Sequence, residues 1–195
     1  MNKTSFFIDD KAIFGGHPSE DFVDELEDLG VRHFIDLTHQ DESNIKPYST
    51  KYNKISYPIR DLSVPNDFLT FTRFIYQICE AINLLHDGEK VYVHCKGGHG
   101  RSGIVVACIV HELIFKDVEK ALVHTSLCHS NRLEMRDKWR VIGSPQTEDQ
   151  RQFVRTICRT VKVDISYTNK QLMDTYLRVL PEAELMEVRK NLYLN

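Results

Sequence analysis

The sequence predicts an α/β fold: a single domain with a central mixed, mostly parallel sheet, helices flanking it, and a glycine-rich loop between a core strand and a helix. Three observations carry this expectation. Short β-type runs alternate with segments whose apolar residues recur at helical spacing. The run Val91-Tyr92-Val93 passes straight into a glycine-rich turn and then into an apolar helix. With 195 residues and 42% apolar content, the chain can bury one proper core.

Each element has its own signal. Residues 6–8 and 12–14 read as strands. Gly15-Gly16-His17-Pro18-Ser19 then breaks the chain, and Ser19 is suited to cap a helix running to Leu29, with Gly30 as the residue that ends it. Residues 31–37 and 54–59 read as further strands. Phe71, Phe74, Ile75, Ile78, Ile82 and Leu85 mark one face of a helix over 68–85, stopped by Asp87-Gly88. After the strand at 91–93, residues 101–115 form an apolar helix and 117–129 another. Residues 129–144 are polar and irregular, with Arg132, Arg136, Lys138 and Arg140 around Trp139. Such a run is a solvated loop, or a lid that reads negative charge. A last helix runs from Pro145 to about Val163, with Thr147 as its N-cap. In the tail, Leu172, Tyr176, Leu177, Leu185, Val188 and Leu192 suggest two short helices divided by Pro181.

Charge and cysteines narrow the function classes. A net charge of −3 exerts no general pull on nucleic acid or acidic membranes, so any anion site must be local. The five cysteines are odd in number and none form a C-x-x-C pair, which argues against a disulfide framework and against a cysteine-type zinc site. No apolar run is long enough for a signal peptide or a membrane span. The expectation is a cytoplasmic protein, with access to the nucleus open and no integral membrane association.

The chemistry concentrates in HCKGGHGRSG, His94 to Gly103. Cys95 ends a strand and precedes a glycine-rich turn that opens a helix. Converging backbone N–H groups in such a turn make an anion-binding nest, and the helix dipole adds to it. The nest favours the thiolate, the form in which a cysteine is a nucleophile. Gly97, Gly98 and Gly100 let the backbone curl around a bound group, and Arg101 supplies a planar fork suited to a tetrahedral oxyanion. A thiolate facing a phosphate-shaped cradle points to covalent phosphoryl transfer. Ser102 can donate its hydroxyl to the sulfur as the sulfur leaves, and His94 can shape the loop. Lys96 and His99 are expected to face outward and add local positive charge. The turn is not a Walker-type loop, because no Lys-Ser or Lys-Thr follows the glycines. A leaving alcohol needs a proton, and the loop YPIRDLSVPND offers two carboxyl groups, Asp61 and Asp67.

HCKGGHGRSG resembles the signature of the cysteine-dependent protein tyrosine phosphatases, in particular the small dual-specificity branch. FGGHPS with Leu29-Gly30-Val31, YPIRDLSVP and SPQTEDQ agree with it in order, and the match is closest to the kinase-associated phosphatase type. The resemblance spans about residues 13–163. It implies a cysteinyl-phosphate intermediate, no cofactor and no metal. It marks residues 1–163 as the catalytic domain; 164–195 have no counterpart in it, and their apolar residues suggest a helical extension packed on the domain, or a partner or dimer surface. It assigns the general acid to Asp61, 34 residues before Cys95, and leaves Asp67 as a helix cap. SPQTEDQ is similar to the loop that positions the attacking water, matching Gln146 and Gln150 to its two glutamines, although both also suit a helix start. The implied activity is dual-specificity hydrolysis of phosphotyrosine and phosphoserine or phosphothreonine on proteins, with a kinase as one candidate partner and no role for nucleic acid. The alternatives are a phosphoinositide phosphatase, which Lys96 and a protonated His99 would favour, and a tyrosine-specific phosphatase. A phosphate-binding module without turnover would be expected to lack Cys95, Arg101 or Asp61.

Overall fold

The computed structural model describes residues 2–160. Five strands, β1 (Ser5–Ile8), β2 (Ala12–Gly15), β3 (Val31–Asp36), β4 (Asn53–Ser56) and β5 (Lys90–His94), form one sheet in the order β1-β2-β5-β3-β4. Only the β1–β2 pair is antiparallel; β2–β5, β5–β3 and β3–β4 are parallel. The sheet is therefore mixed and mostly parallel, as the alternation of elements implies. β5 lies at its centre with all five residues buried, so the turn that follows emerges at the carboxyl end of the best-supported strand.

Helix α1 (Glu20–Asp28) starts where Ser19 Oγ accepts from the Phe22 N–H at 3.4 Å. It buries Val23 and Leu26 against Val31, Phe34 and Tyr92, and each such side chain contributes about 1.5–3 kcal/mol. Helix α2 (Phe68–Asn83) is capped by Asp67, whose carboxylate accepts from the Thr70 N–H at 2.7 Å. β4 is shorter than the run expected at 54–59. Pro58 has no N–H to give, although Tyr57 and Ile59 still donate to Asp36 O and Leu37 O beside it.

Helix α3 (Arg101–Val110) is buried on every side. The expected single helix to Phe115 instead changes pitch into a π-helical turn, His111–Phe115, which Lys116 ends at φ +52°. Helices α4 (Val118–Ser130) and α6 (Glu148–Thr160) complete the layers, and Thr147 caps α6 by accepting from the Gln150 N–H at 3.2 Å.

Residues 129–144 depart from the solvated-loop reading. They carry a short helix α5 (Asp137–Ile142), and Arg132 is only 2% exposed. Most of its polar groups are exposed, but Arg132 and Ser144 turn inward to backbone carbonyls of the loop after β5, which composition cannot distinguish from hydration. Among the described residues no helix is long and apolar enough to cross a membrane. The expectations for Asn169–Leu194 and for the boundary after residue 163 lie outside the described residues.

Candidate active site

The loop from Cys95 to Arg101 joins β5 to α3. Gly98 takes φ +74°, and a Cβ there would lie 2.3 Å from the Gly15 carbonyl carbon, so only glycine fits. That conformation directs the Gly98 N–H at Cys95 Sγ, 3.2 Å away. Ser102 Oγ stands 3.6 Å from the same sulfur. Cys95 is 2% exposed, so the sulfur lies at the floor of the loop with a backbone donor and a hydroxyl beside it.

Arg101 is 2% exposed, and its fork is fully engaged. Nη1 donates to Ile59 O at 2.9 Å, and Nη2 to Asp61 Oδ1 at 2.9 Å. Both Nη atoms also hold the Glu42 carboxylate, with Nη2 to Oε2 at 2.9 Å. Burial alone would raise the Glu42 carboxyl, but hydrogen bonds from Arg101 and the His39 N–H hold it below the usual carboxylate range. Asp61 is thus brought to the arginine, with a side chain 60% exposed. Asp67 is turned into the cap of α2, so of these two carboxyl groups it is Asp61 that lies at the arginine.

His94 is fully buried. Its Nε2 lies 2.7 Å from Tyr48 Oη and its Nδ1 is 3.9 Å from Asp36. Burial pushes its ring down to about 3 despite Asp36, so it stands before the loop as a neutral group. Lys96 does face outward, and its Nζ reaches back to Ser43 O at 2.9 Å. His99 does not face outward, contrary to expectation. Its Nδ1 is 2.8 Å from His129 Nε2, and its ring stacks on Trp139 at 4.3 Å and 16°. Burial, then Arg132 and Lys138, push His99 down to about 4, so it brings no charge to the loop. An aromatic stack between a loop and a helix forty residues on leaves no local sequence pattern.

The two glutamines also separate. Gln150 is buried; its Oε1 accepts from the N–H groups of Gln146 and Thr147, and its Nε2 donates to Ser63 O at 3.2 Å. A Cβ on Gly100 would sit 2.8 Å from Gln150 Oε1, so the glycine allows this amide to pack on the loop. Gln146 sits half-buried on the turn before α6.

Sequence reasoning missed Glu42 and Tyr48, both in the irregular stretch between β3 and β4. It named Arg132 without placing it at the loop, and gave Ser144 no role. Ser144 Oγ donates to His99 O at 2.7 Å, and Arg132 Nη1 donates to Gly98 O at 2.8 Å. The only available signal was charge in an otherwise unpatterned run, which is ambiguous.

The sheet order, the cysteine at the end of its central strand and the arginine at the start of α3 define the class: a cysteine-based phosphatase of the protein tyrosine and dual-specificity phosphatase fold. The chain belongs to the family described as Swiss Army Knife protein, DSP-PTPase phosphatase domain, whose model matches residues 12–154. It is 44% identical over 133 residues to protein 067L of Invertebrate iridescent virus 3, named as a tyrosine phosphatase, covering 68% of this chain and 55% of that one. It is 30% identical over 151 residues to the phosphatidylglycerophosphate phosphatase PTPMT2 of Arabidopsis thaliana, covering 72% and 64%. The chain therefore spans only part of these relatives. The crystal structure of Tk-PTP in the active form superposes with a TM-score of 0.63 at 21% identity, covering 82% of this chain and 98% of that one.

Proposed function

We propose that this chain hydrolyses phosphotyrosine and phosphoserine or phosphothreonine on proteins through a cysteinyl-phosphate intermediate. Cys95 Sγ attacks phosphorus as the phosphorus–oxygen bond to the leaving group breaks. Asp61 gives its proton to that oxygen, and the loop N–H groups with Arg101 hold the three remaining oxygens. Water, giving a proton back to Asp61, then attacks phosphorus as the sulfur–phosphorus bond breaks. Ser102 donates to the departing sulfur, and Gln146 orients the water. Gln150 and His94 support the loop. The Gly98 N–H and Ser102 Oγ beside one buried sulfur, with Arg101 opening the helix that follows, support the chemistry.

The observation that carries the choice of substrate is His99. Its ring is neutral and turned on to His129 and Trp139, so the second loop cation that would favour a phosphoinositide is missing. The Arabidopsis relative's name keeps a lipid phosphate as the second reading. The free cysteines fit a reducing compartment, and the reading includes the cytoplasm.

The test is phosphate release, without added metal, from matched phosphotyrosine and phosphothreonine peptides, a phosphoinositide and phosphatidylglycerophosphate. Cys95→Ser serves as the control. Turnover of both peptides, abolished by the substitution, is the expected result. Phosphotyrosine alone would make the chain tyrosine-specific. Lipid turnover alone would overturn the protein reading.

A further inference from the structure

We propose that Arg132, from behind the loop, is the cation that balances the Cys95 thiolate in the resting site. The inference rests on the reading of Cys95 as a thiolate nucleophile.

The obvious counter-charge is Arg101, but its guanidinium is already engaged by two carboxylates, Glu42 and Asp61. Glu42 alone, bidentate on that guanidinium, cancels its charge, so the pair does not offset a thiolate beside it. Arg132 is the reverse case. It is as buried as Arg101, at 2% exposure, yet its hydrogen bonds all end on neutral oxygens: Gly98 O at 2.8 Å, Phe14 O at 3.3 Å and Ser5 Oγ at 3.3 Å. Its guanidinium lies over the Phe14 ring, 4.3 Å from the centroid. Among the described residues no carboxylate forms an ion pair with it.

A buried guanidinium without a counter-ion is costly, and folds retain one where the charge has a partner or a use. Burial pushes Arg132 down to about 10, and the groups that pull it back up are Tyr92 and Cys95. It therefore stays cationic at neutral pH, behind the loop residue whose N–H meets the sulfur. Its position supports the same task by contact. Arg132 holds the carbonyl of Gly98, the residue whose N–H points at Sγ. The neighbouring rings of His99 and His129 are neutral and compete for no anion.

Arg132 is thus a positioning residue that acts on Cys95 through charge and through Gly98. Two substitutions separate these routes. Arg132→Gln keeps a donor for Gly98 O and removes the charge; Arg132→Lys keeps the charge and loses the fork. The measurement is the rate of Cys95 alkylation by iodoacetamide at a fixed, mildly acidic pH, below the thermal midpoint of every variant, with Cys95→Ser as background. The expected result is a roughly tenfold loss in Arg132→Gln and a rate within about threefold of wild type in Arg132→Lys. Equal rates in all three proteins, or an equal loss in both variants, would overturn the proposal. If Arg132→Gln does not fold, the lysine variant decides alone. Retained alkylation is expected, and alkylation lost by tenfold would overturn the proposal. The assay needs no phosphorylated substrate, so a wrong substrate class leaves it intact. A wild-type Cys95 that resists alkylation would instead remove the thiolate reading itself.

Discussion

Two carboxylates meet one guanidinium at this site, and they differ in what surrounds them. Asp61 is largely exposed at the mouth, while the Glu42 side chain is 7% exposed and bidentate on Arg101. Removing each should therefore have a different signature. Asp61→Asn is expected to lower kcat by about 10²–10⁴-fold on phosphothreonine peptides and by much less on aryl phosphates with good leaving groups. Equal losses on both substrates would rule out proton donation. Glu42→Ala leaves the buried Arg101 short of its main partner. It should destabilise the fold by about 3 kcal/mol in urea unfolding, with raised KM for phosphorylated substrates. Unchanged stability would mean that Asp61 and Ile59 O suffice to hold the arginine. Gly98→Ala would drive its Cβ far inside van der Waals contact with the Gly15 carbonyl, so lost turnover is expected whether or not the variant folds.

At the level of elements, α5 is the feature whose role changes most between sequence and structure. It is six residues long and has no apolar stripe, yet Trp139 on it stacks on the His99 ring of the phosphate loop. Trp139 is the single tryptophan of the chain, so its emission reports on that loop. Titration with orthovanadate is expected to change the tryptophan fluorescence with the same midpoint as inhibition. A spectrum unaltered at full inhibition would show that α5 does not sense occupancy. Trp139→Ala should cost about 1 kcal/mol of stability through the lost stack, with a fall in kcat/KM read from peptide turnover.

Over the whole molecule, the loop sits in a shell of histidines that the fold keeps neutral. Burial pushes His94 and His129 down to about 3 from the ordinary 6.5. The unfolded chain therefore takes up protons first as the pH falls below 6.5, and the native state loses stability from there toward about 3. Each of the two contributes a slope of about 1.4 kcal/mol per pH unit while the gap persists. Asp36, Glu27 and Glu42 act in a lower window. Their carboxyls lie below the ordinary range in the fold, so their stabilisation is present above the ordinary carboxylate values and lost as pH falls through the folded ones. The urea midpoint is thus expected to drop steadily between about pH 6.5 and pH 4.5, before carboxylate protonation dominates. A flat midpoint over that interval would show that these rings are already charged in the native state.

The sequence by itself determined the alternation of strands and helices, the caps Ser19 and Thr147, the strand–turn–helix at Cys95, and Arg101 at the start of α3. These features are local. Periodicity, a capping hydroxyl and a glycine that must take positive φ act within a few residues, so they are written in consecutive letters. The tertiary structure alone decided the rest of the site. Glu42 reaches Arg101 across 59 residues, Tyr48 reaches His94 across 46, and Arg132 reaches Gly98 across 34. Each pairing satisfies a buried polar group that would otherwise be expensive, and the partner is chosen by where the sheet and helices leave it. Nothing in the order of residues marks that choice, so the same basic run reads as a hydrated loop until the fold turns Arg132 inward.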